Sequence, residues 1–314
     1  MAKTTYGFAS PVGIDTGIIR LGGAGLANLL FSWARCAVFC KANGAVQIYT
    51  TWPQIKRRCW THWEPDKRHY CGLFRPLPDE VSGNAKMRLL YSLPRVEEAD
   101  CEATSLTVGR IVVFRGLGRY FLDIPKKEHA WVRERFSSML KNKQLLREKR
   151  EPHIGIHIRL GDKATYQSRT ANPIDMQLPP MSWYTHVINS ISSELNWTGE
   201  VGVCSDGSDA DLRPVLEIPG VRLVRGRTAL DDFMYLAESD LLVGSSSTFS
   251  QWAAYISDGP SIWYPRFDRK GGLGNGSVEM TISEDHPPDR AEWRRCMDDV
   301  CNAKGSGEMT RPGQ

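Results

Sequence analysis

Residues 152–163, PHIGIHIRLGDK, gather an imidazole, a guanidinium and a carboxylate at His157, Arg159 and Asp162. An arginine so placed suits a phosphate, because its planar fork offers two charge-assisted hydrogen bonds. The residues before it set the geometry. Ile154, Ile156 and Ile158 alternate with His153, Gly155, His157 and Arg159, and this alternation predicts a buried strand. Gly161 breaks the run, with Asp162 beside the break. In open α/β sheets ligands bind beyond the carboxyl ends of the strands. On this strand alone the plainer reading leads: Arg159 and Asp162 form a surface ion pair, and His157 is a core histidine.

The elements around the stretch change that balance. Residues 181–196 have helical periodicity, and 200–205 read as a strand ending at Ser205-Asp206-Gly207. A short helix, a strand at 221–224, a helix opened by Asp231 and Asp232, a strand at 240–244 and a helix at 249–256 follow. Strands alternating with helices predict a parallel sheet covered on both faces. Ser245-Ser246-Ser247-Thr248 then form a hydroxyl-rich turn at a helix start, where backbone N–H groups favour anions. Three strand ends thus carry Arg159 with Asp162, Ser205 with Asp206, and Ser245 to Thr248. Cations and amides for phosphates, with a carboxylate for base or ribose donors, describe a nucleoside diphosphate pocket.

Earlier in the chain, residues 14–21 read as a short strand, Gly22 to Asn28 as a loop, and the following apolar stripe as a helix closed by Asn43-Gly44. A strand at 46–49 completes a β–loop–α–β unit. As a dinucleotide fingerprint it fails: Asn28 stands where the third glycine belongs, and no acid ends the next strand. A nicotinamide enzyme is disfavoured, and the glycines serve either a ligand or a tight turn. Residues 50–106 interleave tryptophans with basic residues and fit no nucleic-acid motif. Residues 108–114 read as a strand and 126–150 as a long basic helix.

The 314 residues are comfortable for two domains. The net charge of +4 is uneven, with 25 Lys and Arg against 13 acids in residues 1–150 and 15 against 23 thereafter. The asymmetry supports a division near 150. The basic half either meets an anionic partner, such as a membrane surface or phosphorylated acceptor, or carries scattered solvated charges. No run of about 18 apolar residues marks a membrane helix, and the N-terminus lacks a signal-peptide core, so a cytoplasmic location is expected. None of the eight cysteines forms CxxC, and Cys59, His62, His69 and Cys71 fit no zinc spacing. No metal site is predicted.

Four stretches together resemble the bacterial α-1,2-fucosyltransferase family and the wider HxRxGD fucosyltransferases. His157 to Asp162 is similar to HxRxGD, and Gly25 to Ala34 to the G-L-G-N-x-x-F-x-Y-A signature. Ser246 to Ala254 is similar to N-S-T-F-S-W-W-x-A, and Val203 to Asp206 to the F-S-D segment between. The resemblance covers roughly residues 12–45 and 150–265, in the family's order. It implies an α/β, GT-B-like fold, two Rossmann-type domains facing each other across a cleft. The domains are then 1–150 on the acceptor side and 151–288 for the donor. A terminal helix at 289–304 crosses back to the first domain by analogy, and 305–314 form a flexible tail. It further implies GDP-fucose as donor, an inverting transfer to a glycan hydroxyl, galactose foremost, and no metal or cofactor. The acceptor is then free or lipid-linked, and the basic half would give peripheral contact at the inner membrane.

Carried over by position, Arg159 holds the diphosphate and His157 lines the donor pocket. Ser246, Ser247, Thr248, Phe249 and Ser250 surround the phosphates, Ser205 and Asp206 sit near the nucleoside, and Gly23, Gly25 and Asn28 close on the diphosphate. Asp162 and Asp175 are candidate bases, with a donor phosphate oxygen as the alternative. Ala27, Ser246, Gln251 and Lys163 depart from the family pattern at positions flanking the sugar and acceptor. A transferase with another nucleotide sugar, and an inactive nucleotide-binding protein, therefore stay open.

Overall fold

The computed structural model describes residues 4–10, 13–55, 69–101, 108–117, 126–142, 151–160, 178–195, 197–257, 259–265, 278–283, 288 and 290–303. The chain divides into two compact units, residues 1–146 with 227–230, and residues 147–226 with 231–314. Among the described residues no helix is long and apolar enough to cross a membrane.

In the first unit the chain runs β1 (Tyr6–Ala9), β2 (Ile14–Asp15), β3 (Arg20–Leu21), α1 (Leu26–Asn43), β4 (Val46–Ile48), β5 (Gln54–Ile55), α2 (Gly83–Ser92), β6 (Arg95–Glu97), α3 (Glu98–Cys101), β7 (Ile111–Phe114) and α4 (His129–Met139). Four parallel strands make its main sheet in the order β4-β1-β7-β6. Helix α1 is buried on nearly every side and presses close to β1. A Cβ on Gly7 would meet Cys40 Sγ at 2.5 Å and Cys36 Sγ at 2.9 Å, so glycine permits the approach. Gly44 ends α1 at φ +60°, and its N–H donates to the Cys40 carbonyl.

The strand that feeds α1 is β1, not residues 14–21. That segment is two short strands around a turn. Gly17, at φ +86°, donates its N–H to Asp15 Oδ1 at 2.8 Å. Ile19 N–H donates to Thr16 Oγ1 at 3.1 Å. Side chains that bond the neighbouring backbone favour a turn over a continuous strand, a preference apolar alternation does not reveal. Together β2, β3 and β5 form a separate three-stranded sheet. The basic helix is likewise shorter than its pattern: α4 stops at Met139, and Leu140 bridges to Phe74.

In the second unit the chain runs β8 (His153–Ile158), α5 (Met181–Glu194), β9 (Glu200–Ser205), α6 (Asp209–Leu216), β10 (Val221–Leu223), α7 (Ala229–Ala237), β11 (Leu241–Val243), α8 (Thr248–Ile256), β12 (Ser261–Trp263), β13 (Glu279–Thr281) and α9 (Arg290–Ala303). All six strands are parallel, in the order β10-β9-β8-β11-β12-β13. Numbered within the unit this is 3-2-1-4-5-6, the order of doubly wound dinucleotide-type sheets. The strand order reverses between β8 and β11.

Ile154, Ile156 and Ile158 share one face with Val201, Val203, Leu241 and Val243. There they pack with Trp183, Val187 and Ile191 of α5, Leu212 of α6, and Trp293 and Cys296 of α9. On the other face Gly155 of β8 lies opposite Gly202 of β9. Their missing side chains admit the C-terminal part of α7. A Cβ on Gly155 would touch Ser239 at 3.0 Å, and one on Gly202 would collide with the Tyr235 hydroxyl. Both faces of β8 are therefore buried, as the parallel sheet predicted.

Candidate functional site at the strand-order reversal of the second unit

Polar side chains collect at the carboxyl ends of β8, β9 and β11, on both sides of the reversal point. Arg159 and Leu160 follow β8. Arg159 Nη1 forms an ion pair with Asp206 Oδ2 just beyond β9, and the two side chains are 26% and 25% exposed. Asp206 Oδ1 also accepts the Leu160 N–H at 2.9 Å. Ser205 Oγ donates to the Ile158 carbonyl at 2.6 Å and accepts the Gly207 N–H at 3.0 Å, fastening β9 to the end of β8. Ser208 then caps α6 in a reciprocal box with Asp211. Hydrogen bonding to Ser208 holds the Asp211 carboxyl below its ordinary range.

Across the reversal point β11 ends in Gly244 and three serines. A Cβ on Gly244 would strike the Trp263 ring, so the strand leaves the sheet where only glycine fits. Ser247 caps α8, its hydroxyl accepting the Phe249 N–H at 3.2 Å. Ser250 Oγ accepts the Ser245 N–H at 3.0 Å. His157 Nδ1 lies 2.6 Å from Ser250 Oγ and 3.0 Å from Ser245 Oγ, and those hydroxyls are 3.1 Å apart. The imidazole also packs on Phe249 with ring centres 5.1 Å apart. A buried histidine thus joins β8 to the first turn of α8 by hydrogen bonds as well as by ring packing. Such a network fixes the helix start relative to Arg159, because each member is held by at least two others.

Of the expected donor-site residues, His157, Arg159, Ser205, Asp206 and Ser246 to Ser250 fall in this one place. Asp162 and Asp175 lie outside the described residues, and Arg159 pairs with Asp206. Ser205 is engaged with backbone, and Ser246, Ser247 and Ser250 are buried. Gly23, Gly25 and Asn28 belong to the first unit. Gly23 has φ +104°, Gly25 caps α1 without a side chain, and the Leu26 N–H donates to Tyr70 Oη at 2.9 Å. Asn28 Oδ1 is buried and finds no partner among the described residues. Among the described residues no group of three His, Cys, Asp or Glu could hold a metal. Of Cys59, His62, His69 and Cys71, the first two lie outside those residues, while His69 Nδ1 accepts the Cys71 N–H at 3.1 Å.

A polar cluster in the first unit was not evident from the sequence. Arg20 is buried and donates through Nε to the Thr51 carbonyl at 2.7 Å. Lys86 Nζ donates to Thr51 Oγ1 at 2.9 Å and sits 5.4 Å from the Phe8 ring centre. Burial pulls the Lys86 ammonium down to about 8, opposed by the charges of Asp15 and Glu80. Burial also lifts Glu80 to about 6, against the Leu77 N–H and the Arg135 charge. The signal was Arg20 inside an otherwise apolar run, which reads as surface unless its partner carbonyls are known.

No family model matches the chain, and no curated protein does. Solved structures similar to it include fucosyltransferases. NodZ from Bradyrhizobium is 14% identical, over 80% of this chain and 93% of that one, with a TM-score of 0.42. NodZ α-1,6-fucosyltransferase soaked with GDP-fucose is 14% identical over 80% and 92%, with a TM-score of 0.44. POFUT1 in complex with GDP is 11% identical over 90% and 98%, with a TM-score of 0.43.

Proposed function

We propose that the protein is an inverting glycosyltransferase that moves fucose from GDP-fucose to a hydroxyl of a glycan acceptor without a metal. One observation carries the nucleotide part. Arg159, the start of α8 and the His157–Ser245–Ser250 network converge at the strand-order reversal of a 3-2-1-4-5-6 sheet, where doubly wound folds take nucleotides. The donor sugar rests on the four motif resemblances. In this reading residues 1–150 serve the acceptor, 151–288 the donor, and 289–304 the link between them, as in GT-B enzymes. Galactose is the favoured acceptor sugar, free or lipid-linked, with peripheral membrane contact through the basic half.

The acceptor oxygen attacks the anomeric carbon from the face opposite the diphosphate. The bond from that carbon to the diphosphate oxygen breaks, its electron pair leaves on GDP, and the hydroxyl proton passes to a base. Asp162, Asp175 and a donor phosphate oxygen are the candidates. Charge grows on the diphosphate as the bond lengthens, and Arg159 with the first-turn N–H groups of α8 meets it there. Asp206 acts on Arg159: by pairing with one guanidinium nitrogen it orients the fork toward the ligand. This assigns Asp206 a positioning role rather than the nucleoside contact that resemblance implied.

Calorimetric titration with GDP, GDP-fucose, GDP-mannose and a UDP-sugar, first in chelator and then with magnesium, tests the proposal. Metal-independent binding of GDP and GDP-fucose is expected. Preference for a UDP-sugar would overturn the donor, a reading that Ser246 and Gln251 favour by departing from the family pattern. Binding of no nucleotide would overturn the transferase.

A further inference from the structure

The three-stranded sheet of the first unit is built inside out. Ile14 lies opposite Leu21, and Leu21 beside Ile55; Asp15 lies opposite Arg20, and Arg20 beside Gln54. Paired residues share a face, so an aliphatic row points one way and a polar row the other. The sheet buries the polar row, with Arg20 at 1% and Gln54 at 3% exposure. It exposes the aliphatic one, with Ile14 at 65%, Leu21 at 46% and Ile55 at 40%. Ile18, in the turn between β2 and β3, is 68% exposed.

Half-buried sheets ordinarily turn apolar residues inward. Six large apolar side chains are exposed among the described residues; three form this face, and Ile18 is in the turn that joins two of its strands. A fifth, Tyr91, sits on α2, the helix on which the turn is seated: a Cβ on Gly17 would meet Leu90 and Met87 at 2.9 Å. Arg88, three residues before Tyr91, shares its side of α2 and is exposed. The inversion is held from behind. Arg20 is tied to the carbonyls of Thr51 and Trp52, and Asp15 accepts from Ser10 Oγ at 3.1 Å. The polar row is therefore locked inward and the aliphatic row outward.

We propose that this face docks on an anionic lipid bilayer, with the aliphatic row at the boundary of headgroups and acyl chains. Charge selects lipid over a second copy. The half of the chain that carries the face has 25 Lys and Arg against 13 acids, so two copies approaching through these halves repel by their net charge. An anionic surface attracts the same charges. Arg88 and Tyr91 of α2, the helix that seats the turn, add an exposed basic and an exposed aromatic side chain. Aliphatic, basic and aromatic residues together are the composition of interfacial anchors. The inference gives the peripheral contact of the proposed function a definite face, and it uses none of the transfer chemistry.

The test is sedimentation of the full chain, without nucleotide, with vesicles of phosphatidylcholine alone and of phosphatidylcholine with phosphatidylglycerol. The wild type is expected to bind the anionic vesicles and to lose binding in high salt. The combined change Ile14→Ser, Leu21→Ser and Ile55→Ser should weaken binding about tenfold or more. Circular dichroism would confirm that the variant folds, and Ile18→Ser provides a second probe at the turn. No binding to anionic vesicles, or equal binding by the triple variant, overturns the inference. So does a wild-type dimer that the triple variant abolishes while neither protein binds vesicles. A GDP titration of the same samples separates the readings, since vesicle binding without nucleotide binding keeps this inference and removes the donor site.

Discussion

Arg159 in the second unit and Arg20 in the first each meet the chain just beyond a parallel strand, yet their surroundings differ. Arg159 is about a quarter exposed and bonds sideways to a carboxylate. Arg20 is sealed and bonds to the main-chain carbonyls that follow β4. A guanidinium at a partly open strand end can meet a diphosphate without unfolding anything. A guanidinium whose donors hold two backbone carbonyls is part of the scaffold, since moving it strands buried acceptors. In the proposed function the same residue type serves a ligand site in one unit and a structural tie in the other, and burial with partner identity separates the two.

The sharpest way to break this comparison is to remove both arginines separately. Arg159→Ala should lower transfer by a factor on the order of 10²–10³ or more. Its stability should change by about 1 kcal/mol or less, as for exposed pairs. Arg20→Ala should do the reverse, losing about 2–4 kcal/mol in urea denaturation while the folded fraction keeps its GDP affinity. An active Arg159→Ala enzyme, or an Arg20→Ala protein of unchanged stability, would erase the distinction.

Lys86 sharpens the contrast through pH. Its folded value near 8 lies below its ordinary 10.5, so between those pH values the unfolded chain binds more protons than the folded one. Stability should therefore rise with pH across that window, by about 3 kcal/mol at most. Lys86→Met should remove the rise and be more stable than the wild type below pH 8. Equal pH slopes in the two proteins would show that the ammonium is not buried as described.

Glu80 runs the other way. Its folded value near 6 lies above the ordinary 4.5, so the charged form is destabilising and stability falls as pH rises from 4.5 to 6. Glu80→Gln keeps an acceptor for the Leu77 N–H and should gain up to about 2 kcal/mol at neutral pH. Thermal melts at several pH values would reveal a loss instead, were the Arg135 charge to dominate. The smallest effect is expected at Ser247→Ala, about 1 kcal/mol from the lost cap of α8. A weakened GDP affinity should accompany it, because the cap sets the helix start.

Local repetition is the part of this fold that is legible in one dimension. Alternation in residues 153–159, helical periodicity in 181–196 and the hydroxyl-rich turn Ser245 to Thr248 at a helix start are signals of that kind. They are enough to put Arg159, Asp206 and the serines at strand ends. Residues 14–21 defeat the same method, because Asp15 and Thr16 bond to nearby backbone and turn the chain where apolar spacing suggests a strand. The basic pattern of 126–150 likewise carries no mark of the stop at Met139, which is followed by a tertiary bridge to Phe74.

By itself the sequence determined that the second half alternates strands and helices, and that its strand ends are polar. Only the tertiary structure decided who meets whom. The carboxylate beside Arg159 comes from Asp206, 47 positions later, because β9 lies directly beside β8. His157 joins Ser245 and Ser250 because β11 flanks β8 on its other side. The outward turn of Ile14, Leu21 and Ile55 comes from the partners available to Arg20 on the opposite face. Spacing along the chain encodes which face a side chain takes, whereas strand order and burial encode what that face meets.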